Sequence, residues 1–257
     1  MKKKRIIIAA AALSAALLVS ALAVTRSSFK RLCVEKYEND RGQELYLLGT
    51  IHGSHFSKIY DYSMEDIAAF IKNTDPDYVL IEAREETFEK YGVIDGPVDM
   101  IFAYSYCVQN GIPVGMIDWW VIENGARPNT TNDNRDDMMH DNIMRKLEGY
   151  EDGCRVLIIV GRGHLSPQAK RLESSGCSRV KTENKKALFS GDGAFSYPPL
   201  MEETIENKIR YYDSVERENI SALTDDKTRD AFLSQIDQLI VNLTKQKELV
   251  KENRLYY

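Results

Sequence analysis

Several residue types that carry chemistry are scarce in this sequence: its 257 residues include only four cysteines, four histidines and two tryptophans. The cysteines are far apart in the chain, and none has the short spacing that structural zinc sites require, which excludes a zinc finger or zinc ribbon. The sequence also lacks internal repeats and low-complexity tracts, which excludes solenoid and fibrous architectures. The composition is that of an ordinary globular protein.

Positive charge is not in excess either, since 34 lysines and arginines stand against 39 aspartates and glutamates. A chain with a formal charge of −5 lacks the basic surface that nucleic-acid binding requires, so we expect no nucleic-acid partner. Four of the positive charges, moreover, fall among the first five residues. The rest of the chain is therefore more acidic still.

The N-terminal segment combines these basic residues with a long apolar run. Positions 2–5 are basic, the stretch from Ile6 to Val24 is interrupted only by two serines, and Ala21-Leu22-Ala23 resembles a signal-peptidase site. About 20 apolar residues also suffice to span a bilayer. Residues 1–24 are therefore predicted to be a signal peptide or a membrane anchor. Both alternatives predict an exported protein, secreted or membrane-anchored, with residues 31–257 as one domain outside the cytoplasm.

Apolar strands and amphipathic helices alternate through the rest of the chain. Residues 31–38 and 44–51 are typical of two strands joined by a turn, and further strands are predicted near 78–81, 112–117, 155–160 and 177–182. Helical periodicity lies between them, with Pro167 predicted to open one helix, and it continues beyond about residue 200. This alternation predicts an α/β fold: a mostly parallel central sheet flanked by helices, an N-terminal β-hairpin and a C-terminal helical tail.

The cysteine pattern matters because proteins outside the cytoplasm meet an oxidising environment. Cys154 precedes one predicted strand and Cys177 opens another. If these strands are parallel neighbours, the two sulfurs lie at the same end of the sheet, which suggests a Cys154–Cys177 disulfide. The alternative is that the cysteines are buried free thiols.

Two glycine–histidine motifs stand where apolar strands end. Gly49-Thr50-Ile51-His52 follows one strand, with His55 shortly after it, and Gly161-Arg162-Gly163-His164 follows another. Glu82 and Asp118 come directly after two more strands. Because ligands collect at the carboxyl ends of the strands of an open α/β sheet, we expect these side chains to converge on one edge.

Imidazoles and carboxylates gathered in this way suit two kinds of chemistry. His52, Glu82 and His164 are predicted ligands of a divalent ion such as manganese, cobalt or zinc, with an open position for water. The same side chains equally suit general acid–base catalysis without a metal. The glycines that precede each histidine permit tight turns and close approach of the backbone to a ligand.

Residues 134–143 form a charged segment with helical spacing, which places Arg135, Met139 and Asn142 on one face. Two interpretations stay open for this helix. It is either an ordinary capped surface helix, or Arg135 reaches into the site and binds a substrate carboxylate or an oxyanion.

At these positions the chain resembles the TraB/TIKI superfamily, which takes in TraB/GumN-like, erythromycin esterase-like and ChaN-like proteins. The resemblance covers about residues 46–181. Its matching pieces are Gly49–His52, Glu82, Arg135–Met139 with Asn142, and Gly161–His164. The resemblance implies that His52, Glu82 and His164 are metal ligands or water activators and that Arg135 is an electrostatic stabiliser. The segment Gly53–Phe56 is more similar to the esterase-like branch.

The expected function is that of an extracytoplasmic metal-dependent hydrolase acting on a peptide or small ester substrate. Metal-bound water is the expected nucleophile, with Glu82 or His55 as proton acceptor. Two alternatives stay open: a metal-free esterase in which His52 is the general base, and a non-catalytic regulatory protein that binds haem or a peptide. The membrane is an additional partner if the N-terminal segment is not cleaved.

Overall fold

In the computed structural model, residues 29–127 and 134–257 are described, and they form a six-stranded sheet with helices on both faces. The strands in chain order are β1 (Val34–Glu38), β2 (Glu44–Thr50), β3 (Tyr78–Arg84), β4 (Val114–Asp118), β5 (Arg155–Gly161) and β6 (Ser178–Val180). Their order across the sheet is β4-β3-β5-β2-β1-β6. The predicted α/β fold is confirmed.

The sheet is parallel at its centre and antiparallel at one side. Strands β4, β3, β5 and β2 run in one direction, whereas β1 is antiparallel to both of its neighbours. β1 and β2 form the predicted N-terminal hairpin, with Val34 opposite Leu48. Gly42 in the connecting turn has φ +69°, a left-handed conformation that glycine adopts at little cost. The four parallel strands place their carboxyl ends on one edge, as the sequence predicts.

Helices fill the connections and the C-terminal part of the chain. In chain order, the described α-helices are α1 (Met64–Thr74), α2 (Glu85–Tyr91), α3 (Val98–Gln109), α4 (Arg135–Glu148), α5 (Arg162–Ser174), α6 (Lys185–Leu188), α7 (Leu200–Tyr211), α8 (Arg217–Ser221) and α9 (Asp226–Lys251). A π-helical turn, Tyr212–Glu216, joins α7 to α8. The predicted helical tail is therefore α7 to α9.

The central strand β5 contributes to the core on both faces of the sheet. Leu157 and Ile159 pack in an apolar cluster with residues of α1, α3 and α7, whereas Val156, Ile158 and Val160 pack with α4 and α5. All five side chains are fully buried, as expected for a parallel strand covered on both faces. A third apolar cluster holds the π-helical turn, α8 and α9 together. These three clusters fix the strand ends relative to the C-terminal helices.

The suggested disulfide between Cys154 and Cys177 is not formed, and both residues are buried free thiols. The strands that follow these cysteines, β5 and β6, are not neighbours because β2 and β1 lie between them. Three strand spacings amount to roughly 14 Å. A disulfide requires Cα atoms within about 7 Å. The alternative of buried free thiols is therefore the correct one.

The helix predicted to open at Pro167 begins five residues earlier. α5 starts at Arg162, directly after β5, and Pro167 lies inside it. Pro167 is the sixth residue of the helix, beyond the four N–H groups that lack a partner, so the helix loses one hydrogen bond, to the carbonyl oxygen of Gly163. His164 consequently lies in the first turn of α5, not in a loop.

The predicted signal peptide or membrane anchor, residues 1–24, lies outside the described residues. Within 29–127 and 134–257, no helix combines the length and the apolar character needed to cross a membrane. Export and membrane attachment therefore stay predictions from the sequence.

Candidate active site

His52 begins a short 3-10 helix, His52–Phe56, just after β2. Its φ of 53° is left-handed, which is uncommon for a residue with a side chain. The ring Nδ1 lies 3.3 Å from Oδ2 of Asp99, a fully buried carboxylate in the first turn of α3. The second ring nitrogen, Nε2, makes no hydrogen bond with the described residues. One carboxylate therefore holds the ring while the other nitrogen stays available to a ligand.

His52 and Asp99 stabilise each other's charged forms. Burial opposes protonation of the ring, but the negative charge of Asp99, with a smaller contribution from Glu82, raises the pKa of His52 to about 9. Burial also opposes ionisation of Asp99, yet the facing histidine holds the pKa of this carboxyl well below its usual range. At neutral pH the pair is therefore an imidazolium beside a carboxylate.

Glu82 is a buried carboxylate near the end of β3, with 2% of its surface exposed. Its Oε1 accepts a hydrogen bond from Nη2 of Arg135 at 2.9 Å, and its Oε2 accepts one from the backbone N–H of Gly161. Burial, and next the neighbouring Asp118, raise the pKa of Glu82 above its ordinary value. A carboxylate with a raised pKa is a better proton acceptor near neutral pH.

Gly161 lets His52 and Glu82 approach each other. A Cβ atom built on this glycine would lie 2.5 Å from Nε2 of His52 and 3.1 Å from Oε2 of Glu82. The backbone at the end of β5 is thus in direct contact with both side chains. In the same motif, a Cβ on Gly163 would meet nothing within 4 Å. The first glycine of the motif is required by the site, whereas the second is not.

Arg135, the first residue of α4, bridges two carboxylates. Its Nε and Nη2 donate to the two oxygens of Asp118 at 2.8 and 2.7 Å, and Nη2 also donates to Glu82. A bidentate pair of this kind fixes the guanidinium plane. The structure therefore places Arg135 among the strand-end side chains, not on an ordinary surface helix.

His164 lies close to Glu82 but outside the lining of the adjoining cavity. Its Nδ1 is 2.8 Å from Oδ1 of Asp136, and its Nε2 is 3.6 Å from Oε1 of Glu82. Unlike His52, it is not among the residues that line the adjoining cavity. We interpret His164 as a residue that positions Glu82.

His55 has a structural role. Its Nδ1–H donates to the carbonyl oxygen of Tyr62 at 2.9 Å, and its Nε2 accepts from the N–H of Ile51 at the same distance. Burial lowers the pKa of this fully buried ring, which keeps it neutral. Because both nitrogens are engaged, His55 is not available as the proton acceptor that the sequence suggested.

A cavity of about 520 Å³ lies between the strand ends and the C-terminal helices. Its strand-end wall includes His52, Glu82, Asp118 and Arg135. Residues of α7, the π-helical turn and α9 form the opposite wall. This volume is typical of sites for small-molecule or short peptide ligands. Three of the four predicted site residues therefore share one cavity, and the fourth, His164, is not in its lining but lies 3.6 Å from Glu82.

The sequence analysis predicted no role at the site for four side chains of this region: Asp99, Asp136, Lys208 and Gln246. Asp99 and Asp136 lie in the first turns of α3 and α4, where acidic residues are common because they interact favourably with the helix dipole. Lys208 and Gln246 lie on the C-terminal helices, far from the strand-end motifs in the sequence. Asp136 falls within the segment Arg135–Met139 that carries the family resemblance, but the sequence carries no local signal that distinguishes the other three residues from ordinary surface positions.

The side-chain positions do not fit a bound divalent metal. Among the residues that the structure describes, no three His, Cys, Asp or Glu side chains are arranged to hold an ion. Both oxygens of Glu82 are engaged by Arg135 and Gly161, and the guanidinium adds positive charge where a cation would sit. His52 would also have to lose its proton, against a pKa of about 9. We therefore derive no chemical step from a metal, and ligation by His52, Glu82 and His164 stays a prediction.

The metal content of the purified protein tests that prediction. From the positions of Arg135 and Glu82 we expect far less than one metal ion per chain by mass spectrometry, and no gain in activity on adding zinc, manganese or cobalt. About one ion per chain, lost in both His52→Ala and His164→Ala, would instead establish the metal site that the sequence predicts.

Comparison of the chain with family models, with curated proteins and with solved structures found no match.

Proposed function

We propose that this protein is an exported hydrolase of the TraB/TIKI type that cleaves a peptide or small ester bond in the cavity at the carboxyl edge of the sheet. One observation carries the proposal: Glu82, with its raised pKa, and His52, with one open ring nitrogen, share a wall of this cavity. Titratable groups with shifted pKa values in a cleft are typical of active sites.

Glu82 is the proposed general base. A water molecule beside the substrate carbonyl gives a proton to the Glu82 carboxylate while its oxygen attacks the carbonyl carbon. A carbon–oxygen bond forms, and the carbonyl π electrons move to the carbonyl oxygen. When this tetrahedral anion collapses, the bond to the leaving nitrogen or oxygen breaks, and the proton on Glu82 passes to the leaving group.

His52 is the proposed stabiliser of the oxyanion. With a pKa of about 9 the ring is protonated at neutral pH, which favours a hydrogen-bond donor over the general base that the metal-free alternative assumed. Its free Nε2–H donates to the developing negative charge, while Asp99 fixes the ring. Arg135 positions Glu82 and adds positive potential to the same wall.

We expect a bell-shaped dependence of kcat/KM on pH. Activity rises with pH as Glu82 ionises. The midpoint of this acidic limb lies above pH 4.5, the ordinary pKa of the group, because burial raises the pKa of Glu82. Activity falls again as His52 loses its proton near pH 9. Initial rates on a panel of peptides and esters, measured from pH 4 to pH 10, check both limbs. A basic limb near pH 6.5 would show that His52 is not held in its charged form.

Replacing Asp99 by asparagine should move the basic limb. The variant loses the negative charge that stabilises the imidazolium, so the pKa of His52 is expected to fall from about 9 towards its ordinary value of 6.5. Titration of the His52 ring by NMR measures this directly and does not depend on finding a substrate. An unchanged His52 pKa in Asp99→Asn would contradict the assigned pairing.

A further inference from the structure

Two buried polar side chains in the cavity have no part in the steps above. Lys208 on α7 is 2% exposed and Gln246 on α9 is 6% exposed, and both line the cavity. The two helices are held together beside them by an ion pair between Lys247 and Glu206 at 2.5 Å. Both polar groups therefore belong to the wall opposite the strand ends.

The Lys208 ammonium has unused hydrogen-bonding capacity. Its Nζ donates to the carbonyl oxygen of Gly96 at 2.5 Å, which uses one of its three N–H donors. No carboxylate oxygen of the described residues lies within 4 Å of it, although Asp95 and Asp99 are near enough to stabilise its charge. Burial lowers the pKa of Lys208 to about 8, so the group still carries a charge at neutral pH. Burial of a charged group whose N–H donors lack acceptors costs free energy, unless a bound ligand accepts hydrogen bonds from those donors.

The amide of Gln246 is available to a ligand in the cavity. Gln246 lines the cavity, and its side chain makes no hydrogen bond with another described residue. Its Nε2 would lie 2.8 Å from a Cβ built on Gly53, the residue after His52. Gln246 thus offers amide hydrogens close to His52, and Lys208 is near enough to His52 to disfavour its protonation.

The same wall carries a group of apolar side chains beside polar ones such as Glu216 and Gln238. Phe232, Ile236 and Leu243 of α9 are at most 5% exposed and line the same cavity. A ligand that contacts both these apolar side chains and the polar groups of Lys208 and Gln246 therefore has an apolar body and a polar end. Negative side chains on the cavity wall, including Glu82 and Asp118, disfavour an anion with two charges. A carboxylate matches one ammonium and one amide.

We propose that Lys208 and Gln246 form a carboxylate subsite, so that the substrate is an N-acylated aliphatic amino acid or short apolar peptide with a free C-terminus. One carboxylate oxygen accepts from the Lys208 ammonium and the other from the Gln246 amide. The aliphatic side chain packs against Phe232 and Ile236. Cleavage of the substrate by water activated at Glu82 rests on the proposed function. Binding of the carboxylate by Lys208 and Gln246 does not depend on it.

Calorimetric binding to the full chain in detergent tests the subsite without turnover. The probes are N-acetyl-leucine and N-acetyl-leucinamide, which differ only in the carboxylate. We expect the acid to bind at least about tenfold more tightly than the amide, as is typical of a charge-assisted hydrogen bond. Lys208→Met should abolish this preference, and Gln246→Leu should reduce it. Lys245→Met, at an exposed position of α9, is the matched control and should keep it.

Equal binding of acid and amide to the unmodified protein, or binding of neither, would overturn the subsite, and this comparison needs no variant. A preference that survives in Lys208→Met would overturn the role of that residue. The two proposals fail separately. Tighter binding of the acid without turnover of any peptide or ester would support the subsite and contradict the hydrolase proposal. Turnover without tighter binding of the acid would support the hydrolase proposal and contradict the subsite.

Discussion

Replacing Glu82 by glutamine is expected to lower kcat about 1,000-fold while KM changes little, as is typical of the loss of a general base. Glutamine has nearly the same shape and keeps one oxygen for the N–H of Gly161, but it cannot accept a proton from water. Steady-state kinetics on the best substrate of the panel measures the effect. Thermal unfolding followed by circular dichroism shows whether the fold is retained.

Asp118→Asn is the matched control for Glu82→Gln. Both variants remove one carboxylate from Arg135, but only Glu82 is proposed to take the proton. We expect the asparagine variant to lose about tenfold in kcat, because a displaced Arg135 positions Glu82 less well. An equal loss in the two variants would mean that Glu82 only balances the charge of Arg135, and the proposed base would be wrong.

Gly161→Ala should lower kcat/KM by about 100-fold, the typical cost of moving a catalytic group by about an ångström. The φ and ψ of −58° and 144° suit alanine, so the cost is purely steric. The new methyl group would collide with the His52 ring at 2.5 Å and displace it from Asp99 and Glu82. Overpacking should also reduce the free energy of unfolding by about 1–3 kcal/mol.

Gly163→Ala provides the comparison within the same motif. The added methyl group meets no atom within 4 Å, and alanine in a helix is more favourable than glycine by about 0.5–1 kcal/mol. Activity should be unchanged and the free energy of unfolding equal or slightly higher. The His52 pKa, followed by NMR, should drop in Gly161→Ala and stay near 9 in Gly163→Ala. If the two variants have the same activity and the same His52 pKa, the close approach of His52 to Gly161 is not important for function.

The strand ends were predictable because periodicity locates strands and parallel topology brings their carboxyl ends together. His52 and Glu82 follow from that reasoning, whereas Arg135 was predicted from the helical spacing of residues 134–143 and from the family resemblance. The partners Asp99 and Asp136 do not, because an acidic residue in a first helical turn looks the same whether it faces solvent or a histidine. The order of β5 and β6 across the sheet was also beyond local patterns, which is why the disulfide was wrong.

His55 and His164 show a second limit of sequence reasoning. Both follow strands within a few residues, as His52 does. Yet His55 is enclosed with both nitrogens bonded, and His164 pairs with Asp136 beside Glu82. What distinguishes the three rings is that only His52 lines the cavity. That depends on a single left-handed residue, on the start of α5 and on packing against α3, none of which a motif encodes.

The position of α9 along the chain has a consequence for biosynthesis. Glu82, Arg135 and His52 are all made, and able to meet on the sheet, before residues 226–251 leave the ribosome or an export channel. A nascent chain at that stage holds Glu82 and His52 in an open cleft that still lacks Gln246 and the apolar side chains of α9. The order of synthesis therefore delays closure of the cavity until α9 has docked.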